Sequence, residues 1–189
     1  MSRRQHGFSL LELLVVLFVV VIITSLVTLT VNTGTQDRAL DTEVRNLADV
    51  AAYAIDEAQF SGRDYGLLLQ RRFEDGREYI SYSWRERRPE GWREPAVAAD
   101  IFVERQFEPT VELELFLDDL AVPDFSDDAA GLDATPQVIF YSSGETTPGA
   151  LEWRDRDSGN VMWRIEWDLI GRFTLLPFGE PLPELDDAA

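Results

Sequence analysis

The sequence predicts an α+β protein in which one long N-terminal helix packs on a head rich in antiparallel β-sheet. Three observations predict it. An almost wholly apolar run fills Phe8–Val31, apolar positions then recur at helical spacing from Leu40 to Ala58, and short β-prone runs separated by turn residues follow from Tyr65. A length of 189 residues accommodates one such domain with an appendage, and 45% hydrophobic content excludes wholesale disorder.

The first segment, Met1–Gly7, is short and carries Arg3 and Arg4. The apolar run behind it is long enough to cross a hydrocarbon core of about 30 Å as a helix. The basic leader then faces the cytoplasm and everything after Val31 lies on the far side. An ordinary secretory signal would place an A-x-A cleavage site after the run, and none is present. Glu12 puts a carboxylate inside this lipid-soluble stretch, where a charge costs roughly 2.5–3.5 kcal/mol, so it calls for a partner.

After a weak point at Asn32-Thr33-Gly34, where either a bend or a local melt is open, a second helical half is expected over 32–62. Leu40, Val44, Leu47, Ala51, Ile55 and Ala58 define its apolar face, while Asp37, Arg38, Asp41, Arg45, Asp49 and Asp56 define the polar one. Ser61-Gly62 supplies the stop. The head is expected over 63–176. Its strand candidates are Tyr65–Leu69, Tyr79–Trp84, Ile101–Glu104, Val111–Phe116, Gln137–Tyr141, Ala150–Arg154, Val161–Trp167 and Arg172–Leu176, with a turn at Asp157–Asn160. An antiparallel meander is the simplest topology. Pro177, Pro181, Pro183, Asp186 and Asp187 make 177–189 a frayed acidic tail.

The formal charge is −18, and all 17 basic residues are arginine. Such a surface repels phosphate backbones, which argues against nucleic acid as a partner. There is no cysteine, and the one histidine is His6. Triad catalysis, thiol chemistry, lysine Schiff bases and histidine-rich zinc sites are therefore excluded or nearly so. The acids of Asp118–Asp133 fit no EF-hand spacing and read as a solvated loop, so no metal and no cofactor are expected. Trp84, Trp92, Trp153, Trp163 and Trp167 read as core, with Trp163, Ile165 and Trp167 alternating onto one strand face. Arg85, Arg87 and Arg88, with Arg71, Arg72 and Arg77, read as a surface hairpin with local ion pairs.

Gly7-Phe8-Ser9-Leu10-Leu11-Glu12 resembles the type III signal of type IV pilins and pseudopilins. The resemblance implies that a prepilin peptidase cuts after Gly7 and methylates the new amine of Phe8. It makes Glu12 the fifth residue of the mature chain and the assembly determinant. Loss of the leader removes Arg3 and Arg4 and leaves the mature chain two charges more negative.

Two later stretches resemble the type II secretion system protein H family. Gln137–Pro148 matches its apolar strand entering a Gly-Glu-x-Thr-Pro turn, and Ile165–Phe173 its closing hairpin. The resemblance implies a minor pseudopilin, not an enzyme, at or near the tip of a periplasmic pseudopilus that drives folded proteins through an outer-membrane secretin. Implied partners are other minor pseudopilins, the major pseudopilin, the prepilin peptidase and the inner membrane, which the chain crosses once with its head in the periplasm. The helix lacks the internal proline common in major subunits, and no calcium loop of the shaft subunit is matched. The alternatives are a minor pilin of a type IV pilus, serving adhesion, motility or DNA uptake, and, from another class, a membrane-anchored hydrolase.

Overall fold

The structure, a computed structural model, describes residues 10–74, 76–122, 125 and 134–181; the side chains of 24–37 and of Glu74 fall outside that description. Helix α1 runs Leu10–Ser61. Strands follow as β1 (Tyr65–Glu74), β2 (Arg77–Arg88), β3 (Gly91–Arg93), β4 (Arg105–Gln106), β5 (Val111–Leu117), β6 (Leu120–Ala121), β7 (Val138–Phe140), β8 (Gly149–Asp155), β9 (Val161–Trp167) and β10 (Phe173–Pro177). The chain divides into two compact units between Leu40 and Asp41. In the first, the backbone stays helical through Asn32-Thr33-Gly34, so a local melt there does not occur.

In the second unit the predicted Val44, Leu47, Ala51, Ile55 and Ala58 lie on the buried face of α1, joined by Ala54. Four of its buried positions, Ala48, Ala51, Ala54 and Ala58, are alanine, which lets strand side chains approach the helix closely. The helix ends where Gly62 takes φ +66° and donates its N–H to Ala58 O at 3.0 Å, a left-handed cap that needs no Cβ.

The strands form two five-stranded sheets, every neighbouring pair antiparallel. One is ordered β3-β2-β1-β7 with β4 also on β2, and the other β10-β9-β8-β5-β6. Runs β1-β2-β3 and β8-β9-β10 are meanders as expected. The single meander fails at two crossovers, where β7 returns to β1 and β5 pairs with β8. The cause is burial: Val138 and Phe140 of β7, and Val111, Leu113 and Leu115 of β5, each need an apolar face to lie on. Leu47, Ala48 and Ala51 of α1 meet Leu67, Val138 and Phe140 from one sheet and Leu151, Ile165 and Trp167 from the other. The core therefore sits where the helix and both sheets converge. All five tryptophans are buried, and Trp163, Ile165 and Trp167 share one face as their alternation requires.

Ile101–Glu104 is not a strand. Ala98 takes φ +53°, and the N–H groups of Ile101 and Phe102 both donate to Ala98 O, so this segment turns. The turn drives Phe102 between Tyr53, Tyr65 and Trp84, with ring centroids 5.4–5.6 Å apart. Aromatic burial outweighs local β-propensity here.

Two buried carboxylates sit on strands. Glu86 accepts from Arg63 Nη1 at 2.5 Å, Arg88 Nη2 at 3.0 Å and the Ala96 N–H at 3.3 Å. Burial pushes its carboxyl up, but those three donors outweigh burial and hold it below the usual carboxylate range. Glu152 lies under Arg154 and Arg164, the latter at 2.8 Å. A depressed folded-state pKa contributes stability above the unfolded carboxylate range, and that contribution is lost as pH falls through the folded value. Glu86→Gln is accordingly expected to lower head stability by about 1–3 kcal/mol at pH 7. The deficit should shrink in thermal melts at acidic pH, below the carboxylate's ordinary value of 4.5. An equal deficit at both pH values would show that Glu86 does not titrate in this window.

Candidate functional site

Helix α1 opens on a surface that no isolated protein keeps in water. From Leu10 to Ile23 every large apolar side chain is exposed, from 44% at Ile22 to 83% at Leu10. An apolar surface of this extent requires lipid or other protein helices around it. Glu12 stands in the first described turn, exposed among these side chains, where a negative charge suits the helix N-terminus. Gly7 and Phe8 lie outside the described residues, as does part of the expected 8–31 span. Among the described residues no helix is long and apolar enough to cross a membrane, the described side chains of the run ending at Ile23.

The two later stretches singled out in the sequence meet in space. The Thr146 N–H donates to Leu169 O at 2.8 Å, and Trp167 Nε1–H donates to Thr147 O at 2.7 Å. Both stretches also rest on the end of α1. Gly171, at φ +68°, lies so close to Ile55 that a Cβ would stand 2.1 Å from Ile55 Cδ1. Gly144, at φ +90°, would bring one to 3.1 Å from the Gln59 side chain. Each glycine thus serves a left-handed turn and a close approach together. Asp168 holds the second turn, accepting from the N–H groups of Ile170 and Arg172 at 3.1 and 3.0 Å and from the Arg172 guanidinium at 2.7 Å. The Arg172 N–H in particular keeps its carboxyl below the ordinary range.

Of the acids in Asp118–Asp133, the structure describes Asp118 and Asp119 only. They form the two-residue turn between β5 and β6, both with positive φ (49° and 62°), as a tight right-twisted hairpin demands. Among the described residues no group of three acids or histidines is placed to hold a metal. In the arginine-rich hairpin Arg88 pairs with Glu86, and the Arg87 guanidinium lies over Trp92 at 5.2 Å.

Sequence reasoning missed the polar clasp between helix and sheet. Glu43 of α1 accepts from the buried Tyr82 hydroxyl and from Arg105 at 3.2 Å. Burial first, and then the bond to Glu43, raise the Tyr82 hydroxyl far above its ordinary value. Strand alternation was a usable signal: Tyr82, Trp84 and Glu86 occupy one face of β2, so the third is buried with the first two.

Residues 2–28 match the family model described as the prokaryotic N-terminal methylation motif. Two structures of the minor pseudopilin EpsH from the type II secretion system of Vibrio cholerae share the fold. Each has a TM-score of 0.57, at 20% and 21% identity, covering 75% of this chain and 95% and 98% of theirs. A methylation motif that runs into a long helix, followed by two antiparallel sheets, defines a pilin-like protein with the minor-pseudopilin fold. Sequence carries the assignment further. The chain is 30% identical over 159 residues to the type II secretion system protein H of Pseudomonas aeruginosa, covering 82% of this chain and 86% of that one. It is 31% identical over 168 residues to its namesake in Escherichia coli, covering 85% and 87%. The chain belongs to the type II secretion system protein H family.

Proposed function

We propose that this chain works as a minor pseudopilin of a type II secretion system, a structural subunit and not an enzyme. In this reading residues 1–7 are a leader removed by the prepilin peptidase, and 8–31 anchor the chain in the inner membrane before packing with neighbouring helices in the pseudopilus. Residues 32–62 continue as amphipathic helix, 63–177 form a periplasmic head that ends on β10, one residue into the expected tail, and the acidic remainder follows it. The subunit sits at or near the tip of the filament, against other minor pseudopilins and the major one, and the filament drives folded proteins through the secretin. The observation that carries the reading is the exposed apolar stretch Leu10–Ile23 with Glu12 inside it, all of it within the methylation motif. A hydrolase needs none of these, and the charge of −18 disfavours a DNA-uptake pilin.

Mass spectrometry of the mature N-terminus tests the reading. The expected product begins at Phe8 with a methylated amine. A retained Met1, or cleavage beyond residue 25, would remove the basis for a pseudopilin.

A further inference from the structure

The edge of the first sheet has a gap at Trp84. The Arg87 N–H donates to Asp64 O on the β1 side, so odd residues of β2 point their main chain toward β1 and even residues point away from it. On the far edge β4 pairs with Ser81 and Tyr82, and β3 pairs with Glu86, Arg87 and Arg88. Trp84 lies between them, and no strand faces its N–H.

Both neighbouring ladders stop one rung short of Trp84. Continuing the β3 register from Glu86↔Arg93 would bring Pro95 opposite Trp84, and proline has no N–H to offer. Continuing the β4 register from Tyr82↔Arg105 would bring Val103 there, but the chain has already left the sheet to bury Phe102. The Trp84 carbonyl accepts instead from Arg85 Nη1, at 2.9 Å, an arginine standing in for a strand. Where the two ladders fail there is a recess of about 230 Å³, bounded by Trp84, Arg85, Pro95, Ala99, Phe102 and Val103. Ser83 also lines it, and its buried hydroxyl has no hydrogen-bond partner among the described residues. Val97, Ile101 and Val103 on the segment beside it are 56%, 37% and 45% exposed, and Glu94 and Glu104 line the mouth.

We propose that this recess docks a short extended segment of another subunit of the same assembly, whose main chain supplies the missing rung at Trp84. One apolar side chain of that segment enters the recess, and a basic flank meets Glu94 and Glu104. An unfilled rung selects an extended main chain, and main-chain pairing with a side-chain pocket is how sheet edges recognise peptides. Tyr82 and Glu86 are four residues apart, about 13 Å, and both are already paired, so only about three residues of the segment engage. The entering N–H takes over the Trp84 carbonyl and displaces the Arg85 guanidinium from it.

The inference rests on the pseudopilin reading, and its test separates the two. An array of overlapping peptides of about ten residues, covering the other pseudopilins of the same system, is probed with the full-length protein in detergent micelles. We expect binding to a peptide with an apolar centre. That binding should weaken by about tenfold or more when the main-chain nitrogen facing Trp84 is methylated, and again with Ala99→Trp, which fills the recess. If Ala99→Trp lowers the melting temperature, Val103→Asp on the exposed wall replaces it. No binding peptide, or binding indifferent to either change, overturns the proposal. Correct processing at Phe8 alongside such a failure would sink this site alone and leave the pseudopilin reading standing.

Discussion

Glu12→Leu is expected to abolish incorporation of the subunit into the pseudopilus while leaving processing and membrane level unchanged. The carboxylate is the one charge in the stretch of α1 from Leu10 to Ile23, whose other side chains are apolar and exposed. In an assembly that covers those side chains Glu12 loses water, and only an opposite charge offsets that cost. In the proposed reading that cation is the amine of a neighbouring subunit's first residue, freed by cleavage after Gly7. Removing one partner of a desolvated pair costs about 3–5 kcal/mol because the other is left uncompensated, which is a hundredfold or more in equilibrium. The isolated helix becomes more lipid-soluble, so insertion does not suffer. In the same reading cleavage depends on Gly7, so processing should proceed. Crosslinks to neighbouring pseudopilins should be lost and secretion reduced, at normal membrane levels by immunoblot. Wild-type crosslinking and secretion from Glu12→Leu would show that the carboxylate is not the assembly determinant.

Trp153→Ala should cost the head about 3–5 kcal/mol, the usual range for truncating a large buried aromatic. Trp153 is fully buried, and its ring meets Phe107 edge-on at 5.5 Å. It lies on the central strand β8, opposite Leu113 of β5 and Trp163 of β9, so the cavity opens in the middle of the second sheet. The surrounding strands are hydrogen-bonded on both sides and collapse poorly into such a void. For a head of this size the melting midpoint should fall by about 10 °C, read by circular dichroism on the full chain in detergent. Glu112→Gln, exposed on the same sheet, should stay within about 0.5 kcal/mol of wild type. Comparable losses in both variants would mean that Trp153 is not a packing centre.

The leader motif, the apolar run, the amphipathic half of α1 and most strands of the head were legible because each is written in near neighbours. Helical spacing exposed Val44, Leu47, Ala51 and Ala58 as one face, and alternation did the same for Trp163, Ile165 and Trp167. The glycines of the two later stretches stood out as turn residues, but nothing local says that Gly144 and Gly171 would both press on α1, or that Thr146 would donate to Leu169. The same limit explains the missed crossovers of β5 and β7 and the Ile101–Glu104 error. That run is β-prone taken alone, and it turns only because Phe102 finds Tyr53, Tyr65 and Trp84.

The sequence by itself thus determined what each described segment is: an apolar helix carrying Glu12 within a methylation motif, an amphipathic continuation and a set of antiparallel strands. Only the tertiary structure decided which strands share a sheet, which carboxylates are buried with arginine, and where an edge is left one rung short. Secondary structure follows from steric and apolar periodicity over a few residues, whereas strand pairing and burial depend on surfaces contributed by residues far apart in the chain.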